Sequence, residues 1–302
     1  MMPVDRISVA APAKINLYLK ITGRREDGYH LLATLMQKIN LQDHLDLEKI
    51  LGGISLKCPD SKLPEDERNL VFQAARLFFK KSSDRLHDKR AGVAITLKKN
   101  IPLAAGLGGG SSDAAATILG LDALFETHWT IDELRTMGVT LGADVPFFFT
   151  GWPIAWAEGI GDELFPAFPL VDYRVLVVNP GFSVSTQWVY KNFALTLEQS
   201  IYNLTNLQIG KSAHGKQDKL TRRPILPDEL ENDLERVTIE HYPVIDTLKK
   251  RLLQSGAVAS LMSGSGPSVF GLFLKGDAER AVACYEELKS EYRSTILVDP
   301  LQ

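Results

Sequence analysis

The spacing of apolar residues changes several times along the chain, and each change marks an element. Ile15, Leu17, Leu19 and Ile21 alternate with Asn16, Tyr18 and Lys20, a period of two that predicts a strand with one buried face. Lys14 shares parity with Asn16, so both are expected on the face opposite the apolar row. Asp27-Gly28 predicts a turn, and a second apolar segment follows from Leu31 to Leu41. Leu70, Ala74, Leu77 and Phe78 recur at helical spacing. Val93, Ile95 and Leu97 return to alternation, in a strand expected to end near Asn100, and Asp113 to Phe125 reads as a helix. The stretch from Gln199 to Pro227 is polar and irregular, with lysines and arginines between Gly210 and Arg223, and reads as a surface connection. Ala257 to Met262 and Val269 to Leu274 predict strands on either side of a tight loop, Asp277 to Tyr292 a helix, and Thr295 to Val298 an extended end. Strands and helices mixed without strict alternation give an α+β expectation.

Composition narrows this only a little. At 302 residues the chain is comfortable for two domains, and 45% hydrophobic residues suffice for substantial cores without metal or disulfide staples. A formal net charge of -3 argues against a general binder of nucleic acid or anionic membrane, while leaving room for a local basic pocket. Cys58 and Cys284 lie far apart and form no C-x-x-C, so a reducing, cytoplasmic compartment is expected, with no zinc site. Asp5 and Arg6 interrupt any signal-peptide pattern. The most membrane-like stretch, Val139 to Ala157, contains Asp144, Pro146 and Pro153 and reads as buried core and turns.

Chemistry concentrates in one run: Pro102, Leu103, Ala104, Ala105, Gly106, Leu107, Gly108, Gly109, Gly110, Ser111 and Ser112. Four glycines in five positions are unfavourable in backbone entropy and call for a reason. A backbone without Cβ atoms can wrap an anion and turn several N–H groups inward. A helix beginning near Ser112 would add its own unpaired N–H groups and the positive end of its dipole. Ser111 and Ser112 can cap that helix, bond a phosphate, or help place a metal-bound nucleotide. The bland alternative is a flexible linker or a hairpin with capping serines. No G-K-[ST] follows, so this is not a Walker A loop, and no V-A-I-K or H-R-D set accompanies it.

Three blocks together resemble the galactokinase, homoserine kinase, mevalonate kinase and phosphomevalonate kinase (GHMP) superfamily. They are P-A-K-I-N-L at Pro12 to Leu17, the glycine loop from Pro102 to Ala115, and M-S-G-S-G-P-S at Met262 to Ser268. Their order and spacing cover nearly the whole chain. D-G-Y-H at Asp27 to His30, L-G-A-D-V-P-F-F at Leu141 to Phe148 and N-D-L-E at Asn232 to Glu235 are most similar to one branch of it. That branch phosphorylates the 2-hydroxyl of a cytidine-diphosphate-linked sugar alcohol in non-mevalonate isoprenoid precursor synthesis. The resemblance implies a two-domain α+β fold. Its N-terminal domain (1–165) would be like that of ribosomal protein S5, with a left-handed βαβ crossover. Its C-terminal domain (166–302) would be ferredoxin-like, and the active site would lie in the cleft between them.

It also implies roles. Asp144 would take the proton of the acceptor alcohol, and Lys14 would stand beside it and stabilise developing charge. Asn16 would fix the acceptor hydroxyl. Tyr29 would stack on the cytosine ring, His30 would bond its edge, and Tyr190 would be a second stacking aromatic. Asn69 and Lys99 would contact the nucleoside part of ATP, and Gly264 to Gly266 would allow a close approach to the phosphate cleft. Bland readings stand beside these: Asp144 as a helix cap before Pro146, Lys14 and Lys99 as solvated lysines, Asn69 as a helix start, Gly264 to Gly266 as a plain turn. Mg2+ should accompany ATP, and no acidic ligand for it can be placed. The partner is a small molecule, not nucleic acid or membrane, and the chain is expected to be a monomer or homodimer. Two other readings remain: another GHMP-type small-alcohol kinase of homoserine or mevalonate type, from which D-G-Y-H separates this chain, and a non-catalytic ligand-binding relative.

Overall fold

The structure is a computed structural model describing residues 5–25, 28, 30–59, 61–193 and 223–302. Asp27, Tyr29 and most of the polar 199–227 stretch lie outside the described residues. The chain divides into two compact units, each built from separate stretches. The first takes residues 1–13, 41–101 and 108–151; the second takes 14–40, 102–107 and 152–302. Strands β1 (Arg6–Arg24) and β2 (His30–Leu51) are long enough to contribute to both.

In the first unit, β4 (Ala91–Lys98) runs antiparallel to the second half of β2, with His44 opposite Lys98, and parallel to β3 (Ile54–Lys57). Asn69 caps helix α1 (Leu70–Lys81) by accepting a bond from the Val71 N–H. The predicted helix is present, but its buried face is Val71, Ala74, Ala75 and Phe78, one step round from the Leu70 row. Helix α2 (Gly109–Phe125) packs on α1 and on α4 (Val145–Phe149), and α3 (Ile131–Val139) packs on α4. Gly120 lets α2 sit down on the strands, since a Cβ there would be 3.0 Å from Val9 Cγ2 and 3.1 Å from Leu47 Cδ1. The apolar Val139 to Ala157 stretch is core and turns, as its prolines require, and among the described residues no helix is long and apolar enough to cross a membrane.

In the second unit, the first half of β2 pairs antiparallel with β5 (Ile154–Glu158), which pairs with β6 (Glu163–Pro166). The second half of β1 pairs in parallel with the short β8 (Glu231–Asn232). A separate four-stranded sheet has the order β11-β7-β10-β9, built from β7 (Tyr173–Asn179), β9 (Ala259–Met262), β10 (Val269–Leu274) and β11 (Ser294–Val298). All its neighbours are antiparallel. In chain order this is 4-1-3-2 with helices between the first and second and the third and fourth strands, a ferredoxin-like arrangement. Helices α5 (Glu235–His241), α6 (Val244–Gln254) and α7 (Ala278–Leu288) supply apolar faces around Ile245, Leu248, Leu252, Ala281 and Leu288. Each buried leucine or isoleucine among them contributes roughly 1.5–3 kcal/mol.

One expectation about β1 fails. Lys14, Asn16 and Tyr18 are as buried as Ile15, Leu17 and Leu19, so the strand has two covered faces, not one. Period two reports which residues share a face; it does not report whether the polar face meets water.

Candidate active site

The glycine run changes conformation along its length. Gly106 has φ +76 and Gly108 φ +69, both in the left-handed region that favours glycine. Helix α2 then begins at Gly109, with Gly108 as its N-cap. It therefore starts earlier than expected, inside the glycines. Ser111 and Ser112 are helical residues, not caps, and no side chain caps this end. The N–H groups of Gly109, Gly110 and Ser111 have no acceptor within the helix by its geometry, while Ser112 N–H donates to Gly108 O at 2.9 Å. The first turn carries no acidic residue, and Ser112 Oγ is buried with no hydrogen-bond partner among the described residues. A ready anion-binding terminus is left open.

In the first unit, the residues flanking this turn are held by charge. Lys99 Nζ bonds Asp43 Oδ2 and lies 2.7 Å from Asp113 Oδ2, all three side chains being almost fully buried. Lys99 is thus not a solvated lysine. Burial pushes the Asp113 carboxyl up to about 7; the Lys99 cation opposes this and the Asp43 carboxylate adds to it. Asn69 is buried and committed to structure. Its Oδ1 takes the Val71 N–H, and its Nδ2 donates to Pro64 O at 2.8 Å and towards Cys58 Sγ. Asp144 occupies the N-cap position of α4 with Pro146 in the first turn, yet its side chain makes no cap bond. A Cβ on Gly142, two residues before it, would lie 3.9 Å from Ser111 Oγ, so the Asp144 turn and the start of α2 are neighbours.

In the second unit, the three motif blocks of the sequence meet. Lys14 N–H donates to Leu107 O at 2.9 Å, and Lys14 Nζ to Asn16 Oδ1. Asn16 Nδ2 donates to Thr34 Oγ1, which donates to Tyr18 O. Ser263 Oγ accepts from Asn16 N–H at 3.3 Å and donates to Gly106 O at 2.9 Å. Gly264 is close-packed here: a Cβ would be 3.2 Å from Gly106 O, 3.3 Å from Asn16 Oδ1 and 3.6 Å from Lys14 Nζ. The turn at Gly264 is thus packed against the glycine loop and the first motif block. Asn232 braces the third block, donating through Nδ2 to both Met262 O and Gly264 O at 2.8 Å, while Glu235 Oε1 takes the Met262 N–H.

The His30 and Tyr190 rings lie 5.3 Å apart at 33°. Burial, helped by Arg24, holds the His30 imidazole below the usual histidine range. Asp43 and Thr34 are the residues that the motifs did not point to. Thr34 carried no signal, but Asp43 stands in the row Leu41, Asp43, Leu45, Leu47, a carboxylate in core register.

Fold and loop together define a GHMP kinase. The chain matches the family described as GHMP kinases N terminal domain over residues 69–151 and GHMP kinases C terminal over residues 213–293. It is 45% identical over 274 residues to a 4-diphosphocytidyl-2-C-methyl-D-erythritol kinase of Syntrophus aciditrophicus, covering 90% of this chain and 91% of that one. It is 44% identical to the protein of the same name from Syntrophotalea carbinolica, covering 97% and 99%. A crystal structure of 4-(cytidine 5'-diphospho)-2C-methyl-D-erythritol kinase superposes with a TM-score of 0.75 at 32% identity, covering 98% of this chain and 100% of that one. Homoserine kinase from Cytophaga hutchinsonii shares the fold at a TM-score of 0.69 and 18% identity, covering 99% and 96%. The chain belongs to the 4-diphosphocytidyl-2-C-methyl-D-erythritol kinase family.

Proposed function

We propose that this protein transfers the γ-phosphoryl group of ATP to the 2-hydroxyl of 4-diphosphocytidyl-2-C-methyl-D-erythritol, a step of non-mevalonate isoprenoid precursor synthesis. The observation that carries the reading is the uncapped start of α2 at Gly109, entered through the left-handed Gly106 and Gly108. The names of relatives at 44–45% identity over nearly the whole chain support it.

In this reading the backbone from Pro102 to Ser112 holds the ATP phosphates, and catalysis is positioning with charge neutralisation. The acceptor oxygen bonds the γ-phosphorus, the bond to the bridging oxygen breaks, and ADP leaves. Asp144 takes the acceptor proton, and Lys14 stabilises charge on the acceptor oxygen or the transferred group. Asn16, whose side chain is fixed by Lys14 and Thr34, orients the acceptor hydroxyl. Tyr29 and Tyr190 stack on the cytosine ring and His30 bonds its edge. Asn69 and Lys99 remain the candidates for the nucleoside contact, each with its side chain already engaged within the fold.

Mg2+ fits as an ion carried on the nucleotide. Among the described residues no three His, Cys, Asp or Glu side chains group to hold a metal, whereas Ser112 Oγ is a buried oxygen without a partner among the described residues. When bound, the ion would neutralise charge on the phosphates. The same reading makes the enzyme cytoplasmic, a monomer or homodimer without nucleic-acid or membrane partners, with its catalytic and C-terminal domains divided at 165/166. The test is an ADP-release assay on the cytidyl-linked alcohol, homoserine and mevalonate. Turnover is expected on the first alone; turnover only on an alcohol lacking cytidine rejects the reading.

A further inference from the structure

Asp43 belongs to no motif, yet it is fully buried, in a strand position between Leu41 and Leu45. A carboxylate in such a place is unfavourable unless its partners are specific. Its hydrogen-bond partners all lie just before the glycine run, and one of them, Lys99, also reaches the residue just after it. Oδ1 accepts from Asn100 N–H at 2.6 Å and Ile101 N–H at 2.9 Å, the two residues immediately before Pro102. Oδ2 accepts from Lys99 Nζ, which also bonds Asp113, the residue immediately after Ser112. The Lys99 ammonium lies directly under the start of α2, 3.3 Å from where a Cβ on Gly109 would be. Asn100 Nδ2 adds a bond to Gln42 O at 2.8 Å, tying the same corner to the residue beside Asp43.

We infer that Asp43 is a positioning residue for nucleotide binding: one side chain fixes the backbone where the loop begins and, through Lys99, the helix where it ends. This rests on the reading of Pro102 to Ser112 as the phosphate loop. A loop whose ends are fixed presents its N–H groups in one arrangement before the anion arrives, and less ordering is left for binding to supply. The Lys99 charge acts from beneath the loop, through Gly109, and Asp43 holds it there.

The experiment is calorimetric titration of the full chain with ATP, without acceptor, beside steady-state kinetics. Asp43→Ala removes all three bonds, and the ATP Kd is expected to rise about tenfold, with kcat at saturating ATP and acceptor KM within about twofold. Asp43→Asn keeps an acceptor for the two backbone N–H groups but loses the acceptor for the Lys99 ammonium, and is expected to restore part of the affinity. A role in stability alone would lower the unfolding temperature of Asp43→Ala and leave the Kd unmoved. If Asp43→Ala does not fold, the double variant Asp43→Asn, Lys99→Met removes one buried anion and one buried cation together. With the loop-start bonds kept and the link to α2 lost, it should still weaken ATP binding severalfold. Unchanged ATP affinity in a folded Asp43→Ala or in the double variant overturns the inference alone. Wild-type protein that takes up no ATP overturns the loop reading and this inference with it.

Discussion

Ser263 Oγ donates to the carbonyl of Gly106 at 2.9 Å across 157 residues of sequence. The bond ties the third motif block to the glycine loop. It also engages a carbonyl that would otherwise be free to turn towards a phosphate, where its partial negative charge would repel.

Gly106 should therefore tolerate no side chain. Its φ of +76 alone disfavours alanine by about 1–2 kcal/mol. An alanine Cβ would also sit 2.1 Å from Ser263 O, a backbone atom that cannot swing away. Gly106→Ala is expected to lower the unfolding temperature and weaken ATP about 100-fold or more. Ser263→Ala, which removes one hydrogen bond and little volume, should be milder in both. Thermal unfolding with and without ATP checks the order.

Gly110 makes the opposite case. It lies in the first turn of α2, its φ is not positive, and a Cβ there would meet nothing within 4 Å. As a helical site, Gly110→Ala should stabilise the apoprotein by about 0.5–1 kcal/mol. If the open space is where phosphate oxygens approach, the same change should raise the KM for ATP. Denaturant unfolding and kinetics on the one variant separate the two effects, and a stabilised enzyme with unchanged ATP affinity would remove Gly110 from the site.

Much of this was legible in the sequence because it rests on local signals. The glycine run could only be a special backbone, and the alternating rows gave the strands. What could not be read was coverage. Lys14 and Asn16 looked solvated because parity says nothing about what lies on the other side, and here Thr34 and Ser263 enclose Asn16. Lys99 looked like a surface residue for the same reason. Its two carboxylate partners come from positions 43 and 113, and only Asp43, a charge in an apolar row, hinted at a buried partner. Helix α2 starts earlier than glycine's poor helix propensity predicts, because the turn at Gly108 places Gly109 and Gly110 in the helix.

Asp144 offers a clean test of chemistry against capping. Asparagine caps a helix as well as aspartate does. A capping role would thus leave Asp144→Asn fully active. A proton-accepting role predicts a kcat lower by about 10²–10⁴-fold with ATP binding kept within about twofold. Single-turnover kinetics beside ATP titration decide between them.

The Asp113 carboxyl gives the fold a pH dependence of known sign. Its folded-state value of about 7 lies above its ordinary 3.8. The folded protein therefore keeps a proton that the unfolded chain releases, and stability falls as pH rises from about 4 to about 7, levelling off above. Asp113→Asn removes this titration and leaves Lys99 paired with Asp43. The variant should lose less stability than wild type between pH 4.5 and 7.5 in urea unfolding. Parallel losses would show that Asp113 does not titrate in this window.

His30 should report on the acceptor and be silent on ATP. Its ring lies 5.3 Å from that of Tyr190, and burial holds its imidazole below the ordinary 6.5. At neutral pH it is then uncharged, with one nitrogen a donor and the other an acceptor, as an edge contact to a neutral base requires. Acceptor KM should be flat from pH 7 to 8 and rise only below pH 6.5, where the ring gains a second N–H and loses its acceptor. His30→Ala should raise acceptor KM about tenfold, remove that acid limb and leave the KM for ATP unchanged. Equal effects on both substrates would place His30 outside the cytosine contact.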